Sequence, residues 1–323
     1  MWFWYCVRAR SCWFFTPSNP TLTFGGFEGE SKKEMYEQLP PGSYPKTAYV
    51  TPGIPFHDVR NLLHSAGFTY PFIVKPDVGM AGILFRKIDT EQQLEAYHAR
   101  MPVEYLIQAL IELPLEFSVF YYRLPSSNKG VITGLLQKEP MHVIGDGQLT
   151  LIDLIELHPK ARHRKEELLS WHRQKLSETI PAGEKYYLTH AANLNRGGSF
   201  VNLQHDIDER LHEVFDKLNL YSGNFFYGRY DLKAASLEEL KEGRNFLLME
   251  YNGSGAEPNH VYSSGYSLRA AHNEILKHWE VLYNISVYNN KKGIPYTSFS
   301  KGLQFLQKSK KHFALLNKID AVV

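Results

Sequence analysis

A lysine that closes an apolar run and opens directly onto a glycine-bearing loop constrains this chain more than any other feature. Tyr70-Pro71-Phe72-Ile73-Val74 leads to Lys75, and Pro76-Asp77-Val78-Gly79-Met80-Ala81-Gly82 then returns into Ile83-Leu84-Phe85. Apolar runs on either side of Pro and Gly read as strand, loop, strand. A cation at the hinge can reach phosphates, while Gly79 and Gly82 let backbone N–H groups close over them. The same pattern also makes a plain hairpin, so its weight depends on what lies downstream.

Bulk properties limit the choices. The 323 residues are 43% hydrophobic and carry 36 basic against 34 acidic side chains, enough for a sizeable core in two or three subdomains. The balance of +2, spread along the chain, offers no basic stripe for nucleic acid. Cys6 and Cys12 alone make neither a disulfide framework nor a metal-type spacing, which fits a reducing cytoplasm.

The first fifteen residues are rich in Trp, Phe and Tyr, but Arg8 and Arg10 interrupt a run too short to span a bilayer, and no signal-peptide order is present. The expectation is a segment packed on the body of the protein, with peripheral membrane contact through these aromatics as the alternative. Residues 16–30, with Pro17, Pro20, Gly25, Gly26 and Gly29, read as a turn-rich connector.

Patterning beyond the connector predicts helices at 31–39, 57–66, 91–101, 151–157, 165–177, 208–218 and 267–283. Strands are expected at 45–50, 72–75, 83–87, 105–110, 116–123, 131–138, 225–232 and 246–250, with a hairpin turn at 126–130. The fold class is therefore α+β with mostly antiparallel pairing.

A second constellation follows. Gly228-Arg229-Tyr230-Asp231-Leu232 precedes Phe246-Leu247-Leu248-Met249-Glu250-Tyr251-Asn252 after a polar connection. Glu250 and Asn252 are two apart on one strand and face the same way. If the strands pair, Asp231 joins them in an all-oxygen site of the kind Mg²⁺ prefers, with Arg229 alongside. Read otherwise, these are strand-end charges and a salt-bridge partner.

In Phe72-Ile73-Val74-Lys75-Pro76, Gly228-Arg229-Tyr230-Asp231 and Glu250-Tyr251-Asn252 the chain resembles the ATP-grasp carboxylate–amine ligases, in the order seen in D-alanine–D-alanine ligase. The run 143–155 and the stretches 180–184 and 193–198 are similar to the ATP-grasp module of cyanophycin synthetase and of bifunctional glutathione synthetases. The resemblance covers residues 31–262 and implies an ATP-grasp fold, two α+β subdomains gripping ATP between them. The implied domains are an N-terminal segment over 1–30, a small subdomain over 31–104, a large subdomain over 105–290 and a basic amphipathic tail over 291–323.

Carried over by position, the resemblance implies that Lys75 binds the nucleotide phosphates under the loop Gly79, Met80, Ala81 and Gly82. Lys32 or Lys33 is the other lysine of the small subdomain, the spacing fitting either. Gln108, Ala109, Leu110 and Ile111 match the adenine hinge, Glu116 the ribose acid and Lys138 a further basic group. Asn193, Gly197 and Gly198 match the loop near the γ-phosphate. Asp231, Glu250 and Asn252 match ligands for Mg²⁺, with Mn²⁺ as an alternative ion, and Arg229 the arginine that steadies the acyl phosphate. The implied reaction joins a carboxylate to an amine, with small-molecule or peptide-like substrates and a homodimer as an open option. A phosphotransferase acting on a hydroxyl and a non-catalytic nucleotide-binding module are the other two readings.

Only about thirty residues precede Lys32, where the ligases carry a complete domain, so D-alanine ligation itself is not expected. Glu257 and His260 after the metal strand are candidates for contact with an amine. The basic stretch His158, Arg162, His163, Arg164, Lys165, His172 and Arg173 reads as a solvated face, without a histidine pair joined to an acid. Residues 301–318 read as a basic amphipathic helix that docks on the core.

Overall fold

The computed structural model describes residues 1–80, 82–189, 192, 197–262 and 265–321. In chain order the first half holds α1 (Trp2–Ala9), α2 (Lys32–Tyr36), β1 (Thr47–Val50), α3 (Phe56–Ser65), β2 (Phe72–Pro76), β3 (Arg86–Ile88), α4 (Glu91–Arg100), β4 (Tyr105–Ala109), β5 (Leu115–Arg123), β6 (Gly130–Glu139), β7 (His142–Ile144) and α5 (Leu151–Leu157). The second half holds α6 (Lys165–Trp171), β8 (Lys185–Tyr187), β9 (Ser199–Asn202), α7 (Glu209–Ser222), β10 (Tyr227–Ala234), α8 (Leu237–Lys241), β11 (Phe246–Asn252), α9 (Leu268–Lys291) and α10 (Phe299–Asp320). The α+β expectation holds.

Two antiparallel sheets organise the molecule, a smaller one in the order β1-β4-β2-β3 and a larger one in the order β11-β10-β5-β6-β9. In the larger sheet the pleat separates two chemistries. Phe117, Val119, Tyr121, Tyr230, Leu232 and Tyr251 turn to one face and pack on Leu211, Phe215 and Leu218 of α7. Cross-strand partners share a face, so the pairs Glu116↔Lys138, Asp231↔Ser118, Asp231↔Glu250 and Arg229↔Asn252 place the polar residues on the opposite face. Burying one face in this way fixes the register, because a slip of one residue would turn the tyrosines outward and the charges inward.

Helix α2 bolts the two sheets together. Ser31 caps it by accepting from Glu34 N, and from its far end Tyr36 Oη donates to Met249 O of β11 while accepting from Gln108 Nε2 of β4. The smaller sheet is braced from outside by α10, whose Phe313 and Leu316 join the core with Val50, Phe72, Val74 and Ile107. The amphipathic helix expected near the C-terminus is therefore a docked element.

The segment 16–30 is no surface connector. Asn19 is fully buried and donates from Nδ2 to Gly25 O and Tyr227 O while its Oδ1 accepts from Phe226 N and Tyr227 N. Ser254 N and Gly255 N then donate to Gly25 O and Gly26 O. Gly26, at φ +69°, lies so close that a Cβ there would sit 2.8 Å from Gly253 Cα. Turn residues thus supply a backbone seam, a use that composition does not distinguish from a linker. Ahead of them α1 packs Tyr5 in a stack on Tyr283 of α9, 4.7 Å between centroids, and leaves Phe3, Trp4 and Val7 exposed.

Other departures have local causes. The strand expected at 83–87 begins only at Arg86, because Leu84 adopts φ +55° and its N–H is taken by the Asp320 carboxylate of α10. The helix expected over 165–177 stops at Trp171, where His172 bonds Tyr186 Oη and Leu188 O instead of continuing the helix face. The polar connection between β10 and β11 contains α8, capped by Ser236. The short strands β7, β8 and β9 carry too few residues to show a period of two. Among the described residues no helix is long and apolar enough to cross a membrane, and Cys6 and Cys12 are free thiols.

Candidate active site

The polar face of the larger sheet presents a charge lattice across four strands. Lys138 Nζ lies 2.9 Å from Asp231 Oδ1 and 3.2 Å from Glu116 Oε1, while Arg229 Nη2 lies 3.2 Å from Asp231 Oδ2. Asn252 Nδ2 donates to the same Oδ2 at 3.3 Å, and Arg229 Nη1 to Glu257 O at 3.3 Å. Burial alone would raise the pKa of Asp231, but Arg229 and Lys138 hold it well below the usual carboxylate range. Burial opposes the charge on Lys138 and Arg229 as well, yet their acidic partners raise both.

The smaller sheet and α2 contribute two lysines to the same space. Lys32 Nζ is 3.6 Å from Glu250 Oε1 and 3.4 Å from Asp77 O. Lys33 turns away, its ammonium over the Tyr49 ring and its backbone N bonded to Asp77 Oδ1. The cleft lysine is thus Lys32. Lys75, on β2, is lowered to about 7 by burial and by the charge of Lys32, with Glu250 and Asp77 opposing. Glu30, just ahead of α2, is raised to about 7 by burial and further by Glu250, against Lys32 and Arg229. Sequence reasoning missed Glu30. Nothing in its local pattern marks it, and it reaches the site only because the buried seam of 16–30 carries it there.

The remaining expected residues fall into three groups. Gly79, Met80 and Gly82 belong to the loop after β2, whose base is tied to α10 by His312 on Val78 O at 2.9 Å, while Met80 is exposed and Gly82 stands at φ +76°. Ala81 and Asn193 lie outside the described residues. Gln108 is buried with its amide on Tyr36 Oη and Thr47 Oγ1, Ala109 ends β4, and Leu110 and Ile111 lie in the link between the sheets. Gly197 and Gly198 sit at the β6–β9 edge against Met141, Ala192 and Glu139. Ion pairs and hydrogen bonds thus gather Glu116, Lys138, Arg229, Asp231 and Asn252 into one network, and the Asp231↔Glu250 register sets the Lys32–Glu250 ion pair beside it.

The donor set suits a divalent ion and a polyanion together. The β10–β11 register sets Glu250, Asn252 and Asp231 on one face, an acid–acid–amide trio that could offer oxygen ligands to an ion, with Asp231 already held by two cations. Lys32 of α2, Lys75 of the smaller sheet and Lys138 and Arg229 of the larger one bring four basic side chains to the same space.

No protein-family model matches the chain. Comparison with curated proteins gives no match either. Among solved structures the chain is similar to a bifunctional glutathione synthetase from Pasteurella multocida, at 15% identity and TM-score 0.46 over 80% of this chain and 38% of that one. It is also similar to the D-alanine–D-alanine ligase from Bacillus anthracis complexed with ATP, at 13% identity and TM-score 0.43 over 83% and 69%. A third likeness is to the D-alanine–D-alanine ligase from Coxiella burnetii, at 9% identity and TM-score 0.44 over 81% and 58%. The chain therefore spans well under half the length of the first of these and somewhat over half of the last.

Proposed function

We propose that the cleft binds ATP with Mg²⁺ in the manner of an ATP-grasp enzyme, and that the protein joins a carboxylate to an amine through an acyl phosphate. The observation that carries this reading is the convergence of lysines from the smaller sheet and α2 with Lys138, Arg229 and the Asp231, Glu250, Asn252 trio of the larger sheet. Four basic side chains around three potential oxygen ligands suit a triphosphate and its ion. They suit a neutral ligand poorly.

The chemistry asked of these groups is charge stabilisation. A carboxylate oxygen attacks the γ-phosphorus, the bond to the ADP oxygen breaks, and the amine nitrogen then attacks the acyl carbon and expels phosphate while losing a proton. Mg²⁺, when bound, would neutralise phosphate oxygens, held by Glu250 and Asn252 with Asp231. Lys75 and Lys32 would hold phosphates from one side. Arg229 and Lys138, preorganised by Asp231 and Glu116, would face the charge that builds on the transferring group. The loop carrying Gly79 and Gly82 would cover the phosphates and keep water from the acyl phosphate.

The test is ADP release across a panel of carboxylate and amine pairs. Release that requires both substrates supports ligation. Phosphorylated product formed from a hydroxyl compound without an amine would turn the reading to phosphotransfer, and nucleotide binding without turnover would leave a binding module.

A further inference from the structure

Two histidines and a glutamate converge on the polar face of the larger sheet, beside the charge lattice and outside it. His260 comes from the short turn Asn259–Tyr262, and Glu274 and His278 stand four apart on α9, one turn above the other. His278 Nε2 is 3.6 Å and His260 Nε2 3.8 Å from the same oxygen, Glu274 Oε1. The three ligand atoms all lie within 4.8 Å of one another. His260 and His278 are 1% and 2% exposed, so this is an interior cluster.

The spacing is informative. An imidazole–carboxylate hydrogen bond spans about 2.7–3.2 Å, and the His278–Glu274 separation exceeds it. Ligands of a tetrahedral ion with bonds of about 2.0–2.2 Å stand roughly 3.3–3.5 Å apart, and the two histidine-to-glutamate separations exceed that by only a few tenths of an ångström. The outward-facing atoms are held as ligands of an ion usually are. His278 Nδ1 lies 3.3 Å from Tyr227 Oη, which fixes the ring with Nε2 toward Glu274, and Lys277 Nζ lies 3.4 Å from the other glutamate oxygen. Phe120 meets His278 edge-on at 4.4 Å, and a Cβ on Gly134 would lie 2.3 Å from His260 Nδ1, so only a glycine at 134 leaves room for that ring.

We propose that His260, Glu274 and His278 bind a zinc-class divalent ion that ties α9 to the loop after β11. Two imidazoles and one carboxylate suit zinc and its borderline neighbours, whereas the all-oxygen trio of the cleft suits magnesium. The ion acts at a distance from the cleft through the loop it pins. That loop carries Glu257, whose carbonyl accepts from Arg229, and Asn259, whose amide donates to Ser118 Oγ at 3.0 Å.

The experiment measures metal in the full chain, purified without a histidine tag. About one zinc per chain should survive gel filtration, leave on treatment with a strong chelator and return with zinc but not magnesium, and its removal should lower the thermal midpoint. Cobalt loaded in its place should show the intense visible absorption of a four-coordinate site. Glu274→Gln and His278→Gln should each abolish that signal, Glu250→Gln should leave it, and Tyr227→Phe should weaken zinc binding by about tenfold. A chain that holds no zinc and takes none up, or a cobalt spectrum that survives Glu274→Gln combined with His278→Gln, overturns the proposal. If the variants fail to fold, metal content and the cobalt spectrum of the wild-type chain decide alone.

Discussion

Two polar clusters share one face of the larger sheet, one built on its strands and the other where α9 and the loop after β11 cover it, and they solve the problem of buried polarity in opposite ways. Around Asp231 the chain compensates charge with charge: two cations at 2.9 and 3.2 Å and an amide complete the carboxylate. Around Glu274 it gathers two imidazoles at 3.6 and 3.8 Å, a spacing wider than hydrogen bonding for the His278 contact. The first lattice is self-sufficient and prearranged, as a site that stabilises developing charge must be. The second sets both histidines near the spacing at which two ligands of one ion stand. Burial alone therefore does not identify a binding site; the separations among its groups do.

The most damaging way to break the first cluster is to remove one of its cations. Lys138→Met leaves Asp231 buried with half its compensation gone, and stability should fall by about 3–5 kcal/mol, read as a drop in the midpoint of denaturant unfolding. Replacing all three buried charges, Lys138→Met with Asp231→Leu and Arg229→Met, should recover a large part of that loss, because no member is then left without its partner. If the triple variant is as unstable as the sum of the single ones, the lattice does not act as a unit.

Glu250 should behave differently because its side chain is 37% exposed. Glu250→Gln should change stability little yet reduce ADP release by at least about 100-fold, the scale for loss of one preorganised electrostatic group. Unchanged turnover would remove Glu250 from the metal set. A collapse in stability would instead make it part of the structural lattice.

Acidity sharpens the contrast further. Glu30 keeps its proton to about 7 when folded but releases it near 4.5 when unfolded, so stability should fall as pH rises from about 4.5 to about 7. Lys75 holds its proton only to about 7 when folded but to 10.5 when unfolded, so stability should rise from about 7 to 10.5. These two groups together place a shallow minimum near neutral pH. A thermal-midpoint profile should show it in the wild-type chain and lose it in Glu30→Gln combined with Lys75→Met. A minimum that persists in the double variant has another origin.

Much of the first cluster was legible in the sequence because its residues lie on strands, where the period of two and a short connection decide what faces what. Asp231, Glu250 and Asn252 needed only the β10–β11 pairing. Lys32 could not be separated from Lys33, since one residue of phase in a five-residue helix decides which side chain enters the cleft. Glu30 was invisible because a buried backbone seam positions it. The second cluster was half legible: Glu274 and His278 stand at helical spacing, but His260 joins them only through the packing of the loop after β11 on α9. Composition draws the eye to the histidines of the basic stretch 158–173, whereas the pair that matters joins an acid on an otherwise ordinary helix.

The smallest expected effect concerns the loop after β2. Its two ends are tied to α10, at Val78 O by His312 and at Leu84 N by Asp320. Gly82 between them stands at φ +76°, and among the described residues no atom comes within 4 Å of where a Cβ would project. Gly82→Ala should therefore meet no steric clash and cost only the left-handed backbone penalty, about 1 kcal/mol. If the loop must move to cover phosphates, the substitution should weaken nucleotide affinity or slow ADP release severalfold while leaving the thermal midpoint within a few degrees of wild type. The lattice around Asp231 should respond to substitution in stability as well as in turnover. A covering loop should respond mainly in function, and a Gly82→Ala protein that loses stability without losing activity would place the loop with the scaffold.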